Sequence, residues 1–139
     1  MDHDRALRLL TTILAVAVAV SIVHYADNYF NYDEFPQSDT LPNPSAALVG
    51  LSWFLFTAAG AAGYLLFRRR SYVLACISLG FYSGSGLVGI LHYSAEGMTE
   101  AVWWRQAHVI ADILLGAAML AFAVWAALSL REGQPARRA

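Results

Sequence analysis

His24, Asp27, Asn28, His92, His108 and Asp112 can all hydrogen bond or ionise, and they fall near one end of three separate apolar segments. A carboxylate or imidazole at membrane depth is costly to hold unless it faces a partner, a cavity or a ligand, so these six are the candidates for function. Their types suit two kinds of chemistry. His24, His92 and His108 with Asp112 and Asp27 form a nitrogen and oxygen ligand set for zinc, iron or copper; magnesium and calcium prefer all-oxygen shells. Cys76 is the sole cysteine, which removes thiolate pairs and any intrachain disulfide. No signature such as His-Glu-x-x-His accompanies the set.

Without a metal, His108, Asp112 and His92 would be the catalytic groups, one donating and another accepting a proton on a lipid-soluble substrate. Isomerisation or cyclisation of an isoprenoid-like molecule fits that description. Haem ranks below a metal ion: His24, His92 and His108 could supply two axial ligands, but the nearby carboxylate of Asp112 is awkward for it. Against all of these stands a plain structural role, in which the cluster is interhelical polar packing in an accessory subunit of a larger membrane complex. Asp112→Asn separates the two views, because packing tolerates the amide and chemistry does not.

The elements that must carry these groups are long and apolar. The chain has 139 residues, 58% of them hydrophobic and only 14% charged, against about 25% charged in an average soluble protein. Charge-poor stretches run over 9–26, 45–67, 71–95 and 106–130, the last interrupted by Asp112. A bilayer core of about 30 Å takes roughly 20 helical residues. The sequence therefore predicts an all-α integral membrane protein, a single bundle of four transmembrane helices over approximately 6–28, 45–67, 71–95 and 100–130. Barrel strands would be shorter and would alternate in polarity. Thr99 and Glu100 have the form of an N-cap and an acidic first turn, which places the start of the fourth helix ahead of Trp103.

Arginines set the expected orientation. Arg5 and Arg8 precede the first span, Arg68, Arg69 and Arg70 join the second to the third, and Arg131, Arg137 and Arg138 follow the fourth. The connection after the first span holds Asp33, Glu34 and Asp39 and no basic residue, and Arg105 is the one arginine on that side. Both termini are thus expected in the cytoplasm. The first segment also has the layout of a signal peptide, with Ala19-Val20-Ser21 as a weak cleavage site; it is read as a retained span, and cleavage would remove one wall of the site. Nine Arg and no Lys, in an alanine-rich chain, point to a GC-rich genome and a bacterial plasma membrane. No nucleic-acid face is indicated. The expected partners are the bilayer, a lipid-soluble small molecule, and further copies or subunits.

Periodicity says which faces turn inward. Ser78, Tyr82, Ser85, Gly89, His92 and Glu96 follow one another at intervals of three or four, as do Arg105, His108, Asp112, Gly116 and Met119. His24 lies one turn from Ser21 and one from Asn28. Counting about 1.5 Å per residue from the arginines puts His24 at about 24 Å, Asp112 at about 28 Å and the other two histidines at about 33 to 35 Å, so the groups share a layer within two turns. Gly80 with Gly84, Ser85 with Gly89, and Gly60 with Gly63 offer surfaces for close helix approach. Below Asp112 the polar residues are few, so the cytoplasmic half is expected to be dry and transport is disfavoured.

Overall fold

The computed structural model describes residues 2–129. It consists of four α-helices, α1 (His3–Phe30), α2 (Ala46–Arg68), α3 (Tyr72–Leu87) and α4 (Trp103–Ser129), and among the described residues there is no strand. Each helix packs on the next and α4 returns onto α1. The expected arginines at 131, 137 and 138, and the last residue of the fourth predicted span, lie outside the described residues.

Four segments are long and apolar enough to cross a bilayer: His3–Phe30, Ala46–Arg68, Tyr72–Ser94 and Trp103–Ser129, with mean hydropathies of 2.3, 1.6, 1.7 and 2.2. Their outward faces are oily. Leu51, Phe54, Ile77, Leu114 and Leu128 are each about two-thirds exposed, a pattern that water-soluble surfaces avoid over such an extent.

Local chemistry fixes the ends of the helices. Asp2 caps α1 by accepting a hydrogen bond from the Arg5 backbone N–H at 2.8 Å, and that bond holds its carboxyl below the usual carboxylate range. Ser45 caps α2 through the Leu48 N–H at 3.3 Å. At the other end of α2 the Ser71 N–H reaches Leu66 O at 3.0 Å and the Arg70 N–H reaches Phe67 O at 2.9 Å. This is a Schellman closure, with Arg70 at φ 62° in the left-handed position that glycine normally fills.

Two helix boundaries differ from those expected. The third span is not α-helical through residue 95: after Leu87 the chain tightens into a 3₁₀ segment, Val88–Ser94. Likewise Thr99 and Glu100 do not open the fourth helix. They belong to a separate 3₁₀ turn, Met98–Glu100, and α4 starts at Trp103. Gly84 and Gly86 just ahead of the first change weaken the α-helical preference there.

The bundle has two distinct ends. Where the N-terminus and the Arg68–Arg70 turn lie, hereafter the arginine end, the core is Leu10, Phe67, Leu79, Met119 and Phe122, all buried. Where the 31–45 and 95–102 connections lie, the loop end, Phe35, Met98 and Val109 form a second small core beside the polar cluster.

Candidate functional site

At the loop end α1 contributes His24, Asp27 and Asn28, the 3₁₀ segment contributes His92, and α4 contributes Arg105, His108 and Asp112. All but His92 are buried. The stripe expected on the fourth helix faces inward along its whole length, since Arg105, His108, Asp112, Gly116 and Met119 are each buried. The stripe on the third holds through Tyr82, Ser85 and Gly89, while Ser78 is half-buried and Glu96 is exposed at the rim.

His24 sits at the centre of the cluster. Its Nδ1–H donates to Asp112 Oδ2 at 2.7 Å, and its Nε2 lies 3.4 Å from His92 Nε2. Asn28 Nδ2 donates to the same His92 nitrogen at 3.0 Å. The His24 ring is 5.5 Å, centroid to centroid, from each of His92 and His108. Proton accounting is informative here. With His24 Nδ1–H given to an ionised Asp112 and the Asn28 amide donating to His92 Nε2, two imidazole lone pairs would face each other at 3.4 Å. A proton must lie between them, on one ring or the other, and the Asn28 amide turns to suit.

The second couple is built differently. His108 Nε2–H donates to Asp27 Oδ2 at 3.1 Å. The same carboxylate accepts Arg105 Nε–H at 2.9 Å, Arg105 Nη2–H at 3.3 Å and the Asn31 amide at 2.7 Å. Four donors use up what a carboxylate can accept, so Asp27 is an orienting anchor and not a free base. Arg105 also donates to the Glu34 carboxylate at 2.9 Å and lies over the rings of Phe35 (4.6 Å) and Trp104 (5.3 Å). The arginine that broke the charge asymmetry is therefore 4% exposed and paired. It ties the 31–35 turn to α4. His108 Nδ1 is a buried atom with no hydrogen-bond partner in the protein.

His108 and Asp112 lie one turn apart on α4, a spacing at which the two could bond each other, and they do not pair. Each crosses instead to α1, Asp112 to His24 and His108 to Asp27. Side chains four apart on one helix point the same way and must bend toward each other, whereas a neighbouring helix presents a partner head-on.

A cleft of about 480 Å³ opens beside this cluster. His24, Asn28 and His92 line it, together with Phe35, Leu48 and Leu91 among its apolar walls; Asp27, His108 and Asp112 do not, and stand behind the imidazoles. The 3₁₀ turn places His92 at the wall: residues three apart eclipse, so His92 stands over Gly89, where an added Cβ would press on Ile113 Cγ1 at 3.1 Å and only touch the His24 ring. Phe35, buried and 5.1 Å from the His92 ring, closes the top. Tyr25, on the wall, is engaged through its O–H to Ser85 O at 3.1 Å.

Close approach of α3 and α4 sets the height of Asp112. A Cβ at Gly86 would run into the Asp112 carbonyl oxygen, and one at Gly116 would lie 2.8 Å from Ser83 O. Gly80 and Gly84 do not play the packing role their spacing suggests: a Cβ at Gly80 meets nothing, and one at Gly84 meets only Phe56, at 3.4 Å. Gly60 and Gly63 do serve as contact surfaces, against Tyr82 and Leu79.

Among the described residues no three His, Cys, Asp or Glu side chains are grouped so as to hold one metal ion. Asn31 and Glu34 carried no sequence signal that would tie them to the site, since they reach it only because the turn after α1 folds back over α4. Phe35 did belong to an aromatic segment with Tyr25, Tyr29, Phe30 and Tyr32, suited by sequence either to anchoring at the interface, the favoured reading, or to covering the mouth of the bundle, and it lies buried against His92. Compared with family models, with curated proteins and with solved structures, the chain matches none.

Proposed function

We propose that this chain is a multi-pass membrane protein, with both termini cytoplasmic, whose His/Asp cluster carries out proton transfer on a membrane-soluble molecule. The observation that carries the reading is the His24–His92 pair, two imidazole nitrogens 3.4 Å apart on the wall of a cleft with apolar sides. His92 is the group that meets the substrate, giving or taking the proton held between the rings. His24 is its partner, and Asp112 fixes the His24 tautomer and stabilises the imidazolium when it forms. Asn28 positions the His92 ring. His108, Asp27 and Arg105 form the supporting layer that keeps α1 and α4 at the right height.

The test is made on membranes of a host expressing the full chain. Total lipid extracts are compared by mass spectrometry for the parent, Asp112→Asn and His92→Gln. A species that changes with the parent and reverts in both variants, while each variant keeps its helical circular dichroism, supports the reading. Extracts indistinguishable among all three, with folding intact, leave the cluster as interhelical packing and overturn it.

A second reading keeps a transition ion such as zinc, copper or iron at the same pair. Two nitrogens on a tetrahedral ion with bonds of about 2.0–2.1 Å would be separated by roughly the spacing seen between His24 and His92. Asp112 behind His24 matches the outer-shell carboxylate common at such sites. Among the described residues no third His, Cys, Asp or Glu is grouped with them, so water or substrate would have to complete the shell. The same separation leaves no room for a porphyrin between these two rings. Element analysis of the purified chain after growth with added zinc decides it: near-stoichiometric metal that is lost in His92→Ala supports the ion, and none in the parent removes it.

A further inference from the structure

We infer that the cleft binds an uncharged amphiphile, an apolar body carrying a single carbonyl or hydroxyl oxygen, which enters from the side between the loop-end portions of α2 and α3. This rests on the proton-transfer reading for the site but concerns what the site selects.

Charge is the first argument. Among the described residues that line the cleft there is no Asp, Glu, Lys or Arg. The buried charged groups of the loop end are spent elsewhere, Arg105 on Asp27 and Glu34 and Asp112 on His24, and the exposed acids Asp33, Asp39, Glu96 and Glu100 do not line the cleft. A phosphate or carboxylate head would find no fixed cation in the cleft, and an ammonium head no carboxylate. Either ion would give up its hydration without gaining a partner.

The polar atoms that do face the cleft suit one neutral oxygen. His24 and His92 present imidazole nitrogens with a proton between them, and Asn28 adds an amide next to the same nitrogen. An oxygen set beside the pair can replace the N–H···N contact, accepting the N–H if it is a carbonyl or donating to the other ring's lone pair if it is a hydroxyl. Tyr25 cannot compete for it, being committed to Ser85 O.

The remaining wall is mainly apolar, with Phe35, Leu48, Val49, Phe56, Val88 and Leu91 in it, and its other polar groups, Tyr32, Gln37, Ser38, Asn43, Ser52 and Ser94, are uncharged. Leu48 of α2 and Leu91 of the 3₁₀ segment are 56% and 58% exposed while also lining the cleft. Leu48 and Leu91 therefore give the opening between α2 and the α3–3₁₀ segment an apolar edge on either side, the kind of surface that favours entry of a lipid-dissolved molecule. About 480 Å³ falls within the ordinary range of small-molecule sites and holds a head with the first part of one chain.

The experiment uses the full chain in phosphatidylcholine nanodiscs with three diazirine probes of equal chain length: a long-chain alcohol, the matching fatty acid and the matching quaternary amine. Cross-linked peptides are mapped by mass spectrometry. The alcohol is expected to label residues 35–52 and 88–95 at least about tenfold more than either ion, because each ion would lose hydration unpaired. An unlabelled long-chain methyl ketone should compete, and Leu91→Trp, which fills the lip from an exposed position, should cut the labelling while circular dichroism stays unchanged. Equal labelling by the charged probes overturns the ligand class and leaves the proton-transfer reading standing. Labelling indifferent to Leu91→Trp overturns the lateral route. Selective labelling by the alcohol with lipid extracts indifferent to Asp112→Asn upholds the ligand class and brings down the chemistry instead.

Discussion

At the arginine end the four helices meet through Leu10, Phe67, Leu79, Met119 and Phe122, side chains with no hydrogen bond to give; at the loop end α1, the 3₁₀ segment and α4 meet through His24, Asp27, His92, Arg105, His108 and Asp112. The difference teaches how a bundle can fix its own register. In the bilayer proposed for it, hydrocarbon tails would solvate leucine as well as another leucine does, so the apolar end is held mainly by fit and dispersion, with the Tyr72 hydroxyl to His3 Nδ1 contact at 3.1 Å as its interhelical hydrogen bond, and is the more tolerant of a shift along the helix axis. The polar end would not tolerate one. Sliding α4 past α1 by one turn would strip Asp27 and Asp112 of their partners together, and a buried unpaired charge costs more than any single apolar contact returns.

The largest effect is therefore expected from Arg105→Ala, which removes two of the donors to Asp27 and the tie to Glu34. It should cost about 3–5 kcal/mol in equilibrium unfolding from mixed micelles; a loss under about 1 kcal/mol would mean that the polar end does not set register. Met119→Ala probes the opposite end, where only a cavity is created, and should cost about 2–4 kcal/mol by the same assay. If it exceeded Arg105→Ala, the ranking of the two ends would be reversed.

Finer resolution comes from one substitution made twice on α3. Gly86→Ala drives a methyl group into the Asp112 carbonyl and should cost about 1–3 kcal/mol. Gly80→Ala meets nothing and should stabilise by about 0.5–1 kcal/mol through helix propensity alone. A change of similar size tests the turn at the arginine end: Arg70→Gly relieves a left-handed residue and should raise stability by about 1 kcal/mol, leaving the cleft and any lipid signature unaltered.

Much of the site was open to inspection in the chain itself. Residues 105, 108, 112, 116 and 119 turn inward together because their spacing follows the helical repeat, and no partner is needed to know that they share a face. Depth counting gave His24 and His108 heights about 10 Å apart, since it assumed straight, untilted helices with equal starting points. Their rings are 5.5 Å apart.

Sequence by itself determined four long apolar helices, their inward stripes and the set of polar residues gathered at one end, because hydropathy and the 3.6-residue period are properties of a helix taken alone. Tertiary structure decided which carboxylate answers which imidazole, that the third span tightens to 3₁₀ under His92, that Gly86 and Gly116 make the crossing in place of Gly80 and Gly84, and that Phe35 folds back over the cleft. Those outcomes depend on the relative rotation and height of different helices to within about a hydrogen-bond length, and spacing within one helix carries no information about another.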